Sequence, residues 1–403
     1  MFVDITPLDT VFVRDSRRFG TNEGHAVDSI FPPTPSVCFG AWRGAVLMSG
    51  GYKVCKWGGE KTSNGKEWPT WFGSGKDAGS FRQKGPAIFY NDDTLFPLPF
   101  DAILNKDFNR IRSFSVTGVP EGENSLPTPY YLRLPPGLGR LPKVKGLHLI
   151  SGTKLSEYLG MPWGDGEALD TSEKGDIFSA SEIWSSERRI NVGIDPVTYA
   201  GEEGKLFSLG HIRTCPGVSF RCDWNVKPGN DQEEPIDLVK TGKIKIINLG
   251  GEKRPARVGV IGPSSFNWPG GPAKSELGAC TRDGKTCFRI YFATPAYFEG
   301  GWEPVQGDRH ILKTEELEVP VELLAAAVGK PFSLGGYNIE AQGERPIRKF
   351  VPAGSVFYFQ GEAEHLDDII KLHASAIGDN EFLRNQGFGL AFAGACNPDI
   401  FSS

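Results

Sequence analysis

The chain has 403 residues, of which 51 are glycine and 30 are proline, and it carries a formal net charge of -5. Its length suffices for two domains or one large one, and the many glycines and prolines argue against a helical bundle. The charge excludes a chain that is basic overall, and no apolar window or signal-peptide start is found, so we expect a soluble cytoplasmic protein without a membrane partner.

The N-terminal half alternates predicted strands and helices. Residues 1–15 have the β-branched and aromatic side chains of a strand. A helix is predicted from Pro35 to Gly50, because apolar residues such as Trp42 and Val46 recur at helical spacing. Further along, we predict an insertion loop at 53–80, a hairpin around Asp92 and Asp93, helical or irregular structure at 151–190 and paired strands at 204–224.

The segment 225–240 is the most linker-like part of the chain, and it divides the predicted domains into 1–230 and 231–403. The second half is predicted to contain two strands around Gly250 and Gly251, a strand at 287–298, a helix within 315–329, a strand at 353–360, a helix at 363–378 and a last strand. Interleaved helices and hairpins favour an α+β fold, and a terminal helix, glycine turn and strand would complete a βαββαβ ferredoxin-like unit.

A glycine-rich loop precedes the last predicted strand, with Gly387, Gly389 and Gly394 as its glycines. A dinucleotide fingerprint is excluded because Phe392 occupies the third glycine position and too little chain follows for a helix and a strand. A P-loop is excluded because Ala395 and Cys396 replace its lysine and hydroxyl residue. The spacing therefore predicts backbone that turns sharply or approaches another group closely.

Cysteine spacing predicts no metal site. Cys280 and Cys287 flank an Asp283-Gly284 turn, so they are predicted to lie opposite each other on a two-residue hairpin. Their spacing is longer than the zinc spacing of two to four residues. We expect no cofactor, and the absence of a secretory start favours reduced thiols.

The chain resembles the third Cmr subunit of type III-B CRISPR effector complexes, a RAMP protein of the Cas-five-like group. The stretches that carry the resemblance are PLDTVFVRDSRRF (7–19), GPAIFYNDDTLFPLPFD (85–101), ERRINVGIDPVTYAGEEGKLF (187–207), LGGEKR (249–254), FATPAYFEGGWEP (292–304), AGSVFYF (353–359) and GFGLAFAG (387–394). Each stretch is modest alone, and their joint order and spacing make the match specific.

The resemblance implies two ferredoxin-like domains with long loop insertions and a place at the foot of a crRNA-guided complex. It implies a non-catalytic subunit that holds the repeat-derived five-prime handle of the crRNA. It also implies docking to the Cas-ten-like large subunit and to the first Cas-seven-like backbone subunit. The glycine-rich loop, with Gly387, Phe388, Gly389 and Gly394, would then offer amide groups to RNA phosphates.

Basic residues near the resembling stretches are the other candidate RNA contacts. Arginines suit this role because they bind phosphate bidentately and stack on splayed bases. The candidates are Arg14, Arg17, Arg18, Arg43, Arg188, Arg189, Lys253, Arg254 and Arg257. For Arg14, Arg17 and Arg18, the alternative to RNA contact is ion pairing with the neighbouring Asp15. For Arg43, the alternative is a surface position without a binding role.

The carboxylates beside these arginines leave two points open. An internal ion pair with Glu187 and an RNA contact stand as equal alternatives for Arg188 and Arg189. Glu252 stands alone before Lys253, whereas two-metal chemistry needs paired carboxylates, so the turn there is not predicted to be a cyclase-type active site.

Two rival functions remain open from the sequence. A metal-independent endoribonuclease that processes CRISPR precursor RNA would need a histidine to deprotonate the 2′-hydroxyl, and His25, after the arginine-rich loop, is the best candidate. A subunit that assembles with proteins and never touches RNA is the second rival. Trp57, Trp68 and Trp71 in the insertion suit base stacking, partner contact or internal packing equally.

Overall fold

The structure is a computed structural model. It describes residues 1–14, 26–49, 70–119, 128–141, 146–164, 166–227, 239, 242–262, 266–338 and 343–401. Several predicted features lie outside the described residues: the Arg17, Arg18 and His25 positions, Trp57 and Trp68 of the insertion, and the domain boundary at 230 and 231.

Strands dominate the described part of the chain. In chain order they are β1 (Phe2–Pro7), β2 (Ala26–Asp28), β3 (Phe81–Tyr90), β4 (Asp93–Pro97), β5 (Ala102–Leu104), β6 (Arg110–Ser113), β7 (Ser115–Gly118), β8 (Tyr130–Arg133), β9 (His148–Ser151), β10 (Ala168–Asp170), β11 (Ile177–Ser179), β12 (Trp184–Ile194), β13 (Gly201–Thr214), β14 (Ser219–Val226), β15 (Ile246–Asn248), β16 (Pro255–Val260), β17 (Thr281–Arg282), β18 (Lys285–Phe292), β19 (Val305–Gln306), β20 (Arg309–Lys313), β21 (Glu318–Ala327), β22 (Phe332–Leu334), β23 (Tyr337–Asn338), β24 (Gly343–Glu344), β25 (Arg348–Phe350), β26 (Val356–Glu362), β27 (Ser375–Ala376) and β28 (Leu390–Ala395).

The helices in the described residues are short apart from the first. They are α1 (Pro35–Ser49), α2 (Gly152–Gly160), α3 (Ala180–Ile183), α4 (Lys274–Ala279), α5 (Leu366–Lys371) and α6 (Glu381–Asn385). None of them is long and apolar enough to cross a membrane. The first helix confirms the one predicted from the spacing of apolar residues after Pro35.

The chain forms two compact units, each assembled from three segments. The first unit comprises 1–88, 181–262 and 333–348. The second comprises 89–180, 263–332 and 349–403. The mixed α+β class predicted from the sequence is confirmed, and strand content exceeds helix content. The assignment of two ferredoxin-like domains stays a prediction.

The first unit contains a sheet with the neighbour order β3, β14, β1, β16 and β15, in which β1 pairs antiparallel with both β14 and β16. In β1, Ile5 lies opposite Phe220 on one side and Val258 on the other. The indole of Trp42 on α1 stacks on that of Trp224, with ring centroids 4.6 Å apart and planes 3° apart. Both rings are buried, so α1 covers one face of this sheet through a large aromatic contact.

A second sheet of the first unit positions the candidate site. It consists of the long antiparallel hairpin β12–β13, with β2 paired in parallel to β13. The segment after β1 joins it, because the backbones of Val11 and Ile212 exchange hydrogen bonds of 2.8 and 2.9 Å. Strand β12 corrects the prediction of helical or irregular structure at 151–190, since its first seven residues fall in that range.

The second unit contains a sheet with the neighbour order β19, β20, β21, β26, β18, β28 and β27. The helix predicted within 315–329 is wrong, because this segment forms strand β21 between β20 and β26. The strand contains the alternating residues Val319 and Val321 and ends at Ala327. Pairing with the two neighbouring strands outweighs the helix propensity of its Leu, Ala and Glu residues. Cys280 and Cys287 lie opposite each other, as predicted, with a backbone hydrogen bond of 3.0 Å between them.

A charged cluster is enclosed in the second unit. The Asp101 carboxylate accepts hydrogen bonds from the hydroxyls of Tyr158 and Tyr358, both at 2.7 Å. The Arg289 guanidinium lies 3.7 Å from this carboxylate and donates to the carbonyl of Ala395 at 2.7 Å. Burial raises the pKa of Asp101, while the nearby Arg289 charge opposes the rise. These contacts join strands, a helix and a loop within the unit.

Candidate nucleic-acid interface

The odd-numbered face of the β12–β13 hairpin carries charged side chains. Alternate residues of a strand point to the same face, and Glu187 lies opposite His211 in the hairpin. Glu187 accepts hydrogen bonds from Arg189 at 2.8 and 2.6 Å and from Arg213 at 2.5 Å. The Glu187–Arg189 ion pair, one of two alternatives left open by the sequence, is therefore present.

The turn between β15 and β16 brings a third arginine to this face. Gly250 adopts a left-handed backbone with φ of 78°, and a Cβ there would overlap the carbonyl oxygen of Phe12. The amide of Gly251 donates to the same carbonyl at 2.7 Å. Two glycines thus allow the turn to rest directly on the segment after β1, and Arg254 follows at the end of the turn.

Asp9 connects the arginines of the hairpin with the arginine of the turn. Its carboxylate accepts from Arg254 at 3.1 Å and from Arg213 at 3.3 Å, and it lies 3.6 Å from Arg189. Arg254 also donates to Glu252 at 2.6 Å. We call the set Asp9, Glu187, Arg189, Arg213, Glu252 and Arg254 the Asp9 cluster.

Two carboxylates of the Asp9 cluster, those of Asp9 and Glu187, are stabilised in their charged form. The backbone N–H of Thr10, followed by the three arginines, holds the pKa of Asp9 below its usual value. Hydrogen bonds from Arg213 and Arg189 lower the pKa of Glu187. The side chains remain partly exposed, from 20% for Arg254 to 49% for Arg213. A charged ligand from solvent can therefore reach the arginines.

His211 forms the floor beneath the Asp9 cluster. Its side chain is 1% exposed, its ring lies 5.0 Å from that of Phe12, and its Nδ1 lies 3.3 Å from the Thr10 hydroxyl. Its Nε2 is 3.6 Å from Glu252 and has no hydrogen-bond partner in the described part of the chain. Burial, followed by the Arg254 charge, lowers the pKa of His211, so the ring is held neutral.

Other predicted RNA-contact residues of the first unit are not members of the Asp9 cluster. Arg188, on the opposite face of the hairpin, donates to Asp28 at 3.1 Å. Arg14 is exposed and its backbone bridges to Ser29 beside β2. Lys253 is exposed in the turn and Arg257 is exposed on β16.

Arg43 has an internal role. Its guanidinium donates to the carbonyl of Phe72 at 2.6 Å and lies 4.2 Å from the centroid of the Phe72 ring. It therefore fastens the end of the insertion segment to α1. Trp71 of the same segment packs near Phe81, with ring centroids 5.7 Å apart, which matches the internal-packing alternative.

The glycine-rich loop lies in the second unit and is buried from Gly387 to Gly394. Four consecutive amides donate to groups of the protein: Gly387 to Arg384, Phe388 to Leu383, Gly389 to Pro295, and Leu390 to the Thr294 hydroxyl, at 2.8 to 3.1 Å. The close approach predicted from the glycine spacing is present, and the approaching groups are protein carbonyls and a hydroxyl. RNA contact by Gly387, Phe388, Gly389 and Gly394 stays a prediction, and it would require these hydrogen bonds to be exchanged.

Sequence reasoning missed Asp9, Arg213 and His211. The signal for the last two is their alternation in the strand segment HIRT, which places both on one face once the strand is recognised. Within the described ranges, no three His, Cys, Asp or Glu side chains are grouped so as to hold a metal ion.

A family model described as "CRISPR-associated protein (Cas_Cmr3)" matches residues 3–396 of the chain. The chain belongs to this family. The resemblance stated from the sequence is therefore confirmed. A search of the curated proteins finds no match.

Solved structures of two kinds are similar to the chain. One, titled "Cryo-EM structure of the Type III-B Cmr-beta bound to cognate target RNA and AMPPnP, state 1", has a chain with 15% identity and a TM-score of 0.46, covering 92% of this chain and 87% of that one. Another, titled "Crystal structure of Csm3-Csm4 subcomplex in the type III-A CRISPR-Cas interference complex", has a chain with 12% identity and a TM-score of 0.33. The match covers 90% of this chain and 94% of that one.

Proposed function

We propose that the chain is a non-catalytic, cytoplasmic subunit of a type III-B CRISPR interference complex that binds the five-prime handle of the crRNA. Family membership supports the place in the complex. The RNA contact is supported by one observation above all: three partly exposed arginines converge on one face of the first unit. In each unit we propose a variant of the ferredoxin-like fold, which the central strand orders β3-β14-β1-β16 and β21-β26-β18-β28 support.

The chemistry of the three arginines suits a phosphate backbone better than a base edge. Arg189, Arg213 and Arg254 present planar guanidinium groups from two strands and a turn, so their spacing is fixed by the fold. Guanidinium groups bind phosphate oxygens bidentately and carry no base preference through such contacts. The proposed role is therefore to position the handle, while its sequence is read elsewhere.

Binding of a labelled single-stranded RNA with a repeat-derived handle tests this role. Full-length chain is titrated by fluorescence anisotropy at several salt concentrations, with alanine at each of the three arginines. Each variant is expected to weaken binding roughly tenfold, as for loss of a charged hydrogen bond. Each is also expected to reduce the slope of log affinity against log salt by about 0.7 per lost phosphate contact.

Arg309→Ala is the matched control, because Arg309 is exposed on β20 in the second unit. It removes the same charge at a residue outside the Asp9 cluster and is expected to leave affinity and salt slope unchanged. Equal losses in all four variants would point to general charge attraction and contradict the assigned surface. Incubation of repeat RNA with the chain is expected to yield no cleavage products.

The opposite face of the β12–β13 hairpin supports a protein partner. Ile190, Val192 and Leu206 share this face and are 72%, 47% and 58% exposed. Exposed contiguous apolar side chains mark interaction surfaces. We assign this apolar stripe to the Cas-ten-like large subunit, with the Cas-seven-like backbone subunit as the neighbour along the crRNA.

Co-purification of a tagged complex tests the assignment. Ile190→Asp together with Val192→Asp is expected to lose the large subunit while RNA binding by the isolated chain is kept. Loss of the backbone subunit with the large subunit retained would reassign the stripe. Retention of both subunits would show that the apolar stripe is not needed for assembly of the complex.

A further inference from the structure

The Asp9 cluster is electrically balanced by residues of the protein itself. Its three carboxylates face its three guanidinium groups, and every arginine contacts two carboxylates. A phosphate that approaches this surface therefore meets arginines whose charge is already neutralised. This balance is a property of the fold, since the residues come from the segment after β1, from β12 and β13, and from the turn before β16.

The carboxylates occupy the sites that phosphate oxygens would use. Carboxylate and phosphate both accept the parallel N–H groups of a guanidinium. Asp9 spans Arg254 and Arg213 with its two oxygens, at 3.1 and 3.3 Å, much as a bridging phosphate would. Asp9, Glu187 and Glu252 are 39%, 33% and 37% exposed, so each can turn outward into water without opening the core.

His211 is an independent indication that the carboxylates of the Asp9 cluster do not satisfy every polar group of this surface. Its Nε2 is buried beneath the cluster and points toward Glu252, yet the 3.6 Å separation is too long for a hydrogen bond. A buried nitrogen without a partner is unfavourable. A ligand oxygen that enters beside Arg254 can approach this nitrogen, which the side chain of Glu252 does not satisfy.

We propose that Asp9, Glu187 and Glu252 are internal competitors of RNA, and that binding exchanges these carboxylates for phosphates of the RNA backbone on Arg189, Arg213 and Arg254. This inference rests on the proposed function and deepens it. The exchange lowers affinity for any short polyanion, because each contact must displace an intact ion pair. An RNA that engages several arginines at once overcomes this competition more readily than a single phosphate group does.

Neutral isosteres of the carboxylates test the exchange. Affinity of the full-length chain for the same labelled RNA is measured for Glu187→Gln and, separately, for Asp9→Asn, which lies on a different segment. Either variant is expected to tighten binding about fivefold, the effect of removing one negative charge a few ångströms from a phosphate near water. The salt slope is expected to stay as in the unmodified chain, because the number of phosphate contacts does not change.

Glu344→Gln is the control, since Glu344 is exposed on β24 in the same compact unit. It changes the net charge equally and is expected to shift affinity less than twofold. Tighter binding by the cluster variants and not by Glu344→Gln supports the exchange. Unchanged or weaker binding by both folded cluster variants, with the arginine variants still defective, overturns the exchange and leaves the proposed RNA contact standing. If neither the unmodified chain nor any variant binds RNA, the proposed function itself is overturned.

Discussion

Gly389 offers the sharpest test of what the glycine-rich loop does. Its backbone has φ of 75°, its amide donates to Pro295 at 2.8 Å, and its carbonyl accepts from the Ile377 amide at 2.8 Å. A Cβ at this position would overlap the carbonyl oxygen of Ile377 and lie 2.9 Å from its carbonyl carbon. The obstacle is backbone rather than a mobile side chain, so it can move only by disturbing the strand pairing of β27 and β28.

Gly389→Ala is therefore expected to destabilise the second unit even without RNA. The left-handed backbone costs a residue with a Cβ roughly 1–2 kcal/mol. Overpacking a close contact adds about 1–3 kcal/mol. The free energy of opening β28 should then fall by about 2–5 kcal/mol in total. Hydrogen exchange of β28 peptides measures this locally, and urea unfolding followed by tryptophan fluorescence measures it for the whole chain.

Gly284→Ala separates the two contributions. Gly284 has a similar φ of 78°, but a Cβ there would meet nothing within 4 Å. This variant is expected to lose only the backbone contribution, about 1–2 kcal/mol. Equal losses in the two variants would refute the packing argument. A Gly389→Ala chain that keeps its stability but binds RNA poorly would instead restore the loop as a phosphate contact.

Three further outcomes follow from other parts of the structure. Trp224→Phe removes the buried 2.9 Å hydrogen bond from the indole to Gln83 and part of the stack on Trp42, and is expected to cost about 2–3 kcal/mol in urea unfolding. His211, with its pKa lowered from 6.5, takes up a proton in the unfolded chain before the folded one. Stability should thus fall as pH drops below about 6.5, by at most ~1.4 kcal/mol per pH unit, and His211→Gln should flatten this slope in urea titrations at several pH values. Among the six described cysteines, iodoacetamide at pH 8 should label half-buried Cys215 first, because burial shields the other five. Burial also raises the pKa of Cys287 to about 11, which lowers its reactive thiolate fraction. Peptide mass spectrometry measures the order of labelling, and early labelling of Cys287 would contradict this prediction.

Local features were predicted correctly from the sequence where a residue type has a specific conformational role, as glycine has in turns and close backbone contacts. The glycine spacing at 387–394 predicted a close backbone approach, and Gly389 does abut a carbonyl. The Asp283-Gly284 turn predicted that Cys280 and Cys287 lie opposite each other, as they do. The identity of the approaching groups was not predictable, because glycine spacing does not show that Ile377 and Pro295 fold against the loop.

Segments whose propensity and partners disagree were predicted wrongly. In 315–329 the Glu, Leu and Ala residues favour a helix, whereas Pro320 and the β-branched Val319 and Val321 argue against one. The flanking strands β20 and β26 decide the outcome by pairing with the segment. Strand β12 was missed because its polarity is inverted: Glu187 and Arg189 are half-buried, whereas apolar Ile190 and Val192 are exposed, so the strand lacks the usual pattern of buried apolar residues.

The Asp9 cluster shows the same limit at the level of function. Once β12 is known to be a strand, Glu187 and Arg189 must share a face. The addition of Arg213 depends on the hairpin register, in which Ser185 lies opposite Arg213 and Glu187 opposite His211. The addition of Asp9 and Arg254 depends on how two further segments rest on that hairpin, which no local pattern encodes.

Burial then decides which arginines are suited to act on RNA. Arg289 is 1% exposed, and its charge is taken up by Asp101 and by carbonyl oxygens within the second unit. To reach a phosphate it would have to leave a buried carboxylate uncompensated, which is strongly unfavourable. Arg189, Arg213 and Arg254 face carboxylates that water can solvate as soon as they turn away. Exchange of partners is therefore inexpensive at the Asp9 cluster and prohibitive at Arg289, although both are networks of arginines and carboxylates.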